Sequence, residues 1–316
     1  MVLNKNLLAV ALTSSFLVVA GCSSSDDDDN NTLKRTGQAI DGYLTNAAVC
    51  LDANLNSKCD DSEPDAKTGE KGKFTVSHPS QFANAPTLAR AIKDETVDSD
   101  APDTPVAEGF DLVAPPSAKV VTPLTTLVQA DAEEQLASND SLSRDNAVAS
   151  AKQNLQNALG TGSEGVDVLN DDYVAAQQDD DSAKATAAKK VAATARSVNN
   201  ILRDTRKKVD EKVDENTEAN LGDKADAAIS RVAINKVRNK LSGISTQVNN
   251  EVDAGGDDVN LDTVVSNVTQ NPANSVDDSE LTNVTNEVTQ AKSQLENVED
   301  RFDEDDGTGA VGGSES

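Results

Sequence analysis

Histidine and aromatic side chains are almost missing from this chain. It has one histidine, His78, and no tryptophan, and aromatics make up 2% of its 316 residues. A single histidine excludes multi-histidine metal sites and leaves little for imidazole acid–base chemistry. His78 precedes Pro79 and is expected on the surface, in a loop. No nucleophile-elbow glycine pattern and no glycine-rich phosphate loop occur, so the sequence offers no case for an enzyme. The shortage of aromatics argues against sugar stacking and against a large apolar pocket. Cations are scarce as well. Twenty-eight Lys and Arg stand against 55 Asp and Glu, for a net charge of −27. Such a field repels nucleic acid and favours divalent cations. No window has the roughly 18 consecutive apolar residues of a membrane-spanning helix.

What is present begins at the amino terminus. Lys5 is followed by a mostly apolar stretch from Leu7 to Ala20, and then by Gly21-Cys22. That pattern resembles the lipobox of bacterial lipoproteins. The resemblance implies a signal peptide over residues 1–21 and acylation of Cys22, including palmitate. It places the protein in the bacterial cell envelope, anchored to the membrane through its lipid. Ser23 follows where an aspartate would retain such a protein at the inner membrane, so the outer membrane or cell surface is expected. Two or three acyl chains give stable anchoring, at about 0.8 kcal/mol per buried methylene. Residues 22–36, rich in Ser, Asp and Asn, read as a disordered acidic tether.

The chain then changes grammar near residue 122. Eight of nine prolines lie at or before Pro123. Residues 37–121 read as short strands and turns, with strands at 38–40, 47–51, 73–76, 88–92 and 110–113. A small antiparallel β-sandwich is expected there. Residues 122–302 read as helices, and 303–316 as a disordered tail, so the fold class is α+β. Thr122-Pro123 is a helix start, with a hydroxyl N-cap and proline at the first helical position. Further helices are expected over 143–159, 181–214 and 223–252, and Tyr173 is expected to anchor a helix in the bundle. Leu281, Val284, Val288, Ala291, Leu295, Val298 and Phe302 step as a heptad seam. The seam packs within its own bundle, or it serves self-association or a protein partner. Val and Ala dominate these faces, so a loosely packed, extended bundle or coiled-coil-like region is expected.

One constellation carries coordination chemistry. With Asp52 as position one, side-chain oxygens fall at positions one, three, five, nine and twelve: Asp52, Asn54, Asn56, Asp60 and Glu63. The Lys58 carbonyl falls at position seven. This is the spacing of an EF-hand calcium loop, and Ca2+ takes six to eight such hard oxygens. Ser57 stands at position six, where EF-hands have glycine, and the flanks read as strands. A structural ion is expected; a polar Asx-turn loop without an ion is the alternative. Cys50 precedes the loop and Cys59 lies within it; in an oxidising compartment the two are expected to form a disulfide. A thiolate metal pair falls short of the four ligands zinc takes.

The segments Gly37 to Leu44, Ala48 to Asp52, Asp60 to Pro64 and Thr68 to Phe74 resemble the carboxypeptidase-regulatory-like or Cna-B-like β-sandwich modules of bacterial surface proteins. The resemblance extends over residues 37–128 and implies a non-enzymatic adhesion, scaffolding or envelope-assembly role. A second expectation is a periplasm-facing lipoprotein holding a lipid-like or small apolar ligand in its helical bundle. The lipobox reading has a direct check. Labelled palmitate is expected to enter the chain, and Cys22→Ser is expected to abolish both the label and membrane fractionation.

Overall fold

The amide of Gln38 and the carbonyl of Lys119, 3.1 Å apart, bring the start of the strand region back to its end. A computed structural model describes residues 32–303. Cys22, the expected signal peptide and residues 304–316 of the expected tail lie outside the described residues. The strands are β1 (Leu33–Ala39), β2 (Leu44–Thr45), β3 (Ala48–Leu51), β4 (Asp65–Lys67), β5 (Lys73–His78), β6 (Thr87–Ala91), β7 (Val97–Asp98), β8 (Phe110–Ala114) and β9 (Val120–Val121). They form a three-stranded sheet in the order β5-β1-β9, a four-stranded sheet in the order β4-β3-β6-β8, and the pair β2-β7. All pairings are antiparallel except β1 with β9. The fold is mixed α and β, with small sheets first and a helical region after them.

Two expectations are corrected here. Residues 33–36, read as tether, belong to β1 and pair with β5. Arg35 explains why: its buried guanidinium donates to the carbonyls of Ala83 (2.6 Å) and Ala85 and ties the strand down. His78 is buried, not a surface loop residue. The alternation of β5 continues past Val76, so His78 shares the inward face of Phe74 and Val76.

The helices are α1 (Pro123–Ser138), α2 (Arg144–Leu159), α3 (Tyr173–Ala176), α4 (Ser182–Lys212), α5 (Glu215–Leu221), α6 (Ala225–Arg238), α7 (Leu241–Gly255), α8 (Leu261–Gln270) and α9 (Val284–Asp303). Thr122 caps α1 and Thr125 returns the bond to the Thr122 amide, which completes a capping box with Pro123 inside it. Ser143 caps α2, and Gly160, at φ 60°, ends it. Asp181 caps α4. The expected helix over 223–252 is two helices, α6 and α7, with a break at Asn239-Lys240. The apolar period runs unbroken from Val237 to Leu241, so the pattern hides the break. Among the described residues no helix is long and apolar enough to cross a membrane.

Strands and helices do not separate at residue 122. Ile40, Leu55 and Val120 belong to the helical core, while Ala39, Val49, Phe74, Val76 and Leu112 build a second core within the strand region. Thr125 donates its hydroxyl to the Val113 carbonyl, and the Val113 amide donates to the Thr126 hydroxyl, both at 2.8 Å. These bonds pin the first turn of α1 to β8. The seam of α9 is covered by the chain's own helices: Leu281, Val284, Val288, Ala291, Leu295 and Val298 are all buried, against α1 and α6 above all. The helices thus close on a shared core rather than forming an extended bundle.

Polar ties cross the same junction. The hydroxyl of fully buried Tyr173 donates to the Ile40 carbonyl at 3.2 Å. Asn199 donates its amide to Asp41 at 2.5 Å. Burial, with Asp98 beside it, pushes the Asp41 carboxyl up to about 8. A carboxyl raised in the folded state binds its proton more tightly there than in the unfolded chain. Its contribution is complete below about pH 4 and is lost as pH rises through about 8. Asp41→Asn keeps an acceptor for Asn199 and removes the charge. It is expected to raise the melting temperature at pH 8.5, with the difference from the parent shrinking toward pH 5. Thermal melts across that range check it.

Candidate metal centre

The loop from Asp52 to Glu63 joins β3 to β4. Its ends are held together by backbone: the Leu51 amide donates to the Pro64 carbonyl at 3.1 Å. A disulfide between Cys50 and Cys59, with Cα atoms 5.5 Å apart, staples the loop across its base. The sequence order of short polar residues turns the chain tightly. The Asp52 carboxylate accepts from the amides of Asn56 (3.0 Å) and Ser57 (2.9 Å). Asn54 accepts from the Asn56 amide at 3.2 Å, and Asn56 from the Lys58 amide at 2.8 Å. At the far end Glu63 reaches back to the amides of Ala53 (2.8 Å) and Asp60 (3.3 Å).

The six predicted positions therefore lie in one coiled loop. Asp52, Asn56 and Glu63 are buried, at 3%, 3% and 6% exposure. Their electrostatics differ. Burial, with Glu63 as the next contributor, pushes Asp52 up to about 7. Burial also raises Glu63. Asp60 is lowered by the side-chain amides of Asn54 and Asn56, each 2.8 Å from one of its oxygens. Both amides thus turn nitrogen toward Asp60 and oxygen toward the amides of Asn56 and Lys58. Among the described residues no three His, Cys, Asp or Glu side chains come together as a metal cluster. Half of the predicted donor set consists of amide and carbonyl oxygens from Asn54, Asn56 and Lys58, which such a cluster does not include.

The donor types fit Ca2+. They are all hard oxygens, and two of the carboxylates are buried and poorly neutralised. Asp52, Asn54, Asn56, Asp60 and Glu63 would hold the ion through side chains, and Lys58 through its carbonyl. The ion would supply charge neutralisation and rigidity.

Sequence reasoning did not reach the partners that grip this loop from outside. Leu55, with a left-handed φ of 52° and 3% exposure, inserts into the helical core. Lys224, just before α6, places its ammonium on the Asn54 carbonyl and on Glu299 of α9 (2.6 Å). Arg90 on β6 donates to the Ser57 carbonyl at 2.6 Å and to Asp111. These contacts span from 33 to 170 residues in sequence, so no local pattern announces them. The heptad-seam residues from Leu281 to Val298 are buried in the core.

No family model, curated protein or solved structure matches the chain. What the loop does follows from its own chemistry. Ser57 is at φ 58°, the left-handed conformation that the sixth position of such a loop adopts with glycine. An L-residue there costs on the order of 1 kcal/mol. Ser57 engages the loop through its backbone, so Ser57→Gly is expected to keep every bond and stabilise the fold by about 0.5–1 kcal/mol. Chemical denaturation of the two proteins checks this.

Proposed function

We propose that the protein is a non-enzymatic lipoprotein of the bacterial outer envelope. A calcium ion in the 52–63 loop clips its strand region, and its helical region forms the interaction part of an adhesion, scaffolding or assembly factor. The lipobox-like Gly21-Cys22 supports the anchor. The likeness of residues 37–128 to surface β-sandwich modules supports the setting, and a three-stranded and a four-stranded sheet suit such a module. The absence of a catalytic sequence motif supports a binding role.

The observation that carries the calcium part is the burial of Asp52 beside Glu63 in a loop with oxygen donors at EF-hand spacing. A divalent ion would neutralise both carboxylates and complete a set of oxygens drawn from consecutive turns. Its place also matters. The loop contacts Lys224 and, through Leu55, the helical core, so ordering it would also order the junction. The role is structural rigidity, as in extracellular modules with weak calcium sites, about 10⁻⁴–10⁻³ M.

Calcium is therefore expected to raise the melting temperature and chelator to lower it, since a ligand that binds only the folded state stabilises by mass action. Asp52→Ala is expected to abolish the calcium-dependent shift. An identical melt with and without calcium in the parent protein would retire the ion and leave the loop as an Asx-turn structure.

A further inference from the structure

Between the strand region and helices α1, α4 and α6 lies a cavity of about 310 Å3. That is the small end of the range that ligand sites occupy, about 300–1,000 Å3. The low aromatic content argued against such a pocket. The lining shows how it forms without aromatics: Leu55, Val113, Leu202, Ile234 and Leu295 provide aliphatic walls, and Phe110 provides one ring.

Its charges are unevenly arranged. Arg203, Arg206 and Lys207 come from one stretch of α4, Arg203-Asp204-Thr205-Arg206-Lys207-Lys208, which is rich in cations for a chain of net charge −27. Arg90 pairs with Asp111, Arg206 with Asp226, and buried Arg231 with buried Glu133. Asp226 also takes Lys58, at 3.6 Å on its other oxygen. Arg203 and Lys207 share a single oxygen. One oxygen of Glu108 accepts from both, at 3.2 and 2.6 Å. Glu108 lies on the exposed loop before β8, and its side chain is 49% exposed. The Arg203 guanidinium also stands 5.3 Å over the Phe110 ring, which orients it at the apolar wall.

A carboxylate thus already stands against a two-cation site beside an aliphatic cavity, and that carboxylate is tethered only by a loop. We propose that the cavity binds a small amphipathic carboxylate, with its apolar body among the aliphatic walls and its carboxylate replacing Glu108 against Arg203 and Lys207. Arginine and lysine together recognise a carboxylate through charge-assisted hydrogen bonds. The apolar body selects against hydrophilic anions, which the rest of this acidic surface repels. Glu108 acts as a built-in competitor that covers the cations when no ligand is present. The cavity shares Asp52, Leu55 and Ser57 with the 52–63 loop, while Arg203, Lys207 and Glu108 lie outside it.

The test uses the whole protein in excess calcium chloride, so that the 52–63 loop stays in one state. Isothermal titration is run with octanoate and with octanol, which keeps the chain and lacks the charge. Octanoate is expected to bind one-to-one in the sub-millimolar range, and octanol at least about tenfold more weakly. Glu108→Gln removes the competitor and is expected to tighten octanoate several-fold. The double variant Arg203→Gln, Lys207→Gln is expected to weaken it about tenfold or more. Both variants are at the solvent-exposed mouth, and their melts report that the fold is intact. Ala227→Phe, which fills the cavity, is expected to remove binding of either ligand. No octanoate binding at millimolar concentration, equal affinity for octanol, or an unchanged or weakened Glu108→Gln protein would each overturn the proposal.

Discussion

Asp52 and Glu63 are buried in one loop, and the neighbouring charge of Glu63 adds to the burial that resists ionisation of Asp52. Burying carboxylates is expensive unless each oxygen finds a donor or a cation. The loop answers with backbone amides from Ala53, Asn56 and Ser57. The helical region answers with Lys224, whose ammonium sits on the carbonyl of Asn54. The same loop projects Leu55 into the helical core. An electrostatic requirement internal to the strand region therefore decides whether an apolar side chain reaches the helices. The proposed calcium ion would act on the junction as much as on the loop.

The junction matters because the helical core is thin. Its interior is largely Val and Ala, and a fully buried valine contributes only about 1.5 kcal/mol. The 31-residue helix α4 compensates by length, packing against α6, α7 and α8 in turn. Several of the larger side chains lie where strands meet helices. Tyr173, Ile40 and Leu124 are fully buried there, and Tyr173 spends its hydroxyl on the Ile40 carbonyl. Polar ties such as Asn199 to Asp41 add direction to that packing, because they hold only in one register. The charge on Asp41 opposes the arrangement at high pH, which makes the junction sensitive to pH.

Local chemistry was legible and distant chemistry was not. Thr122-Pro123, Ser143, Gly160 and Asp181 announced their helix ends, because a cap is a short-range bond between neighbours. The Cys50–Cys59 bridge and the coiled arrangement of Asp52, Asn54, Asn56, Asp60 and Glu63 were legible for the same reason. The break after Val237 was not, since period and propensity carry through it. His78 was missed by ending β5 at Val76, one alternation too soon. Residues 33–36 were missed because the strand is held by Arg35 reaching carbonyls of residues 83 and 85, and a single arginine in a polar stretch gives no warning of that. Lys224 and the cavity depend on contacts between segments far apart, which periodicity does not encode.

The scarcity of cations gives those few a consistent logic. Arg35 and Arg231 are buried, and burial lowers them to about 10 and about 9, so both remain charged at neutral pH. Each uses that charge on backbone carbonyls, Ala83 and Ala85 for the first and Ala130 for the second. Lys224 does the same for Asn54. Arg196 bridges Asp100 of the strand region to Asp262 of α8. Cations are thus drawn to seams between segments, where a donor with several hydrogens can join carbonyls or carboxylates from both sides. Arg203 and Lys207 lie on such a seam too, yet they share a single half-exposed carboxylate. Where the buried cations hold segments together, those two stand at the edge of a cavity.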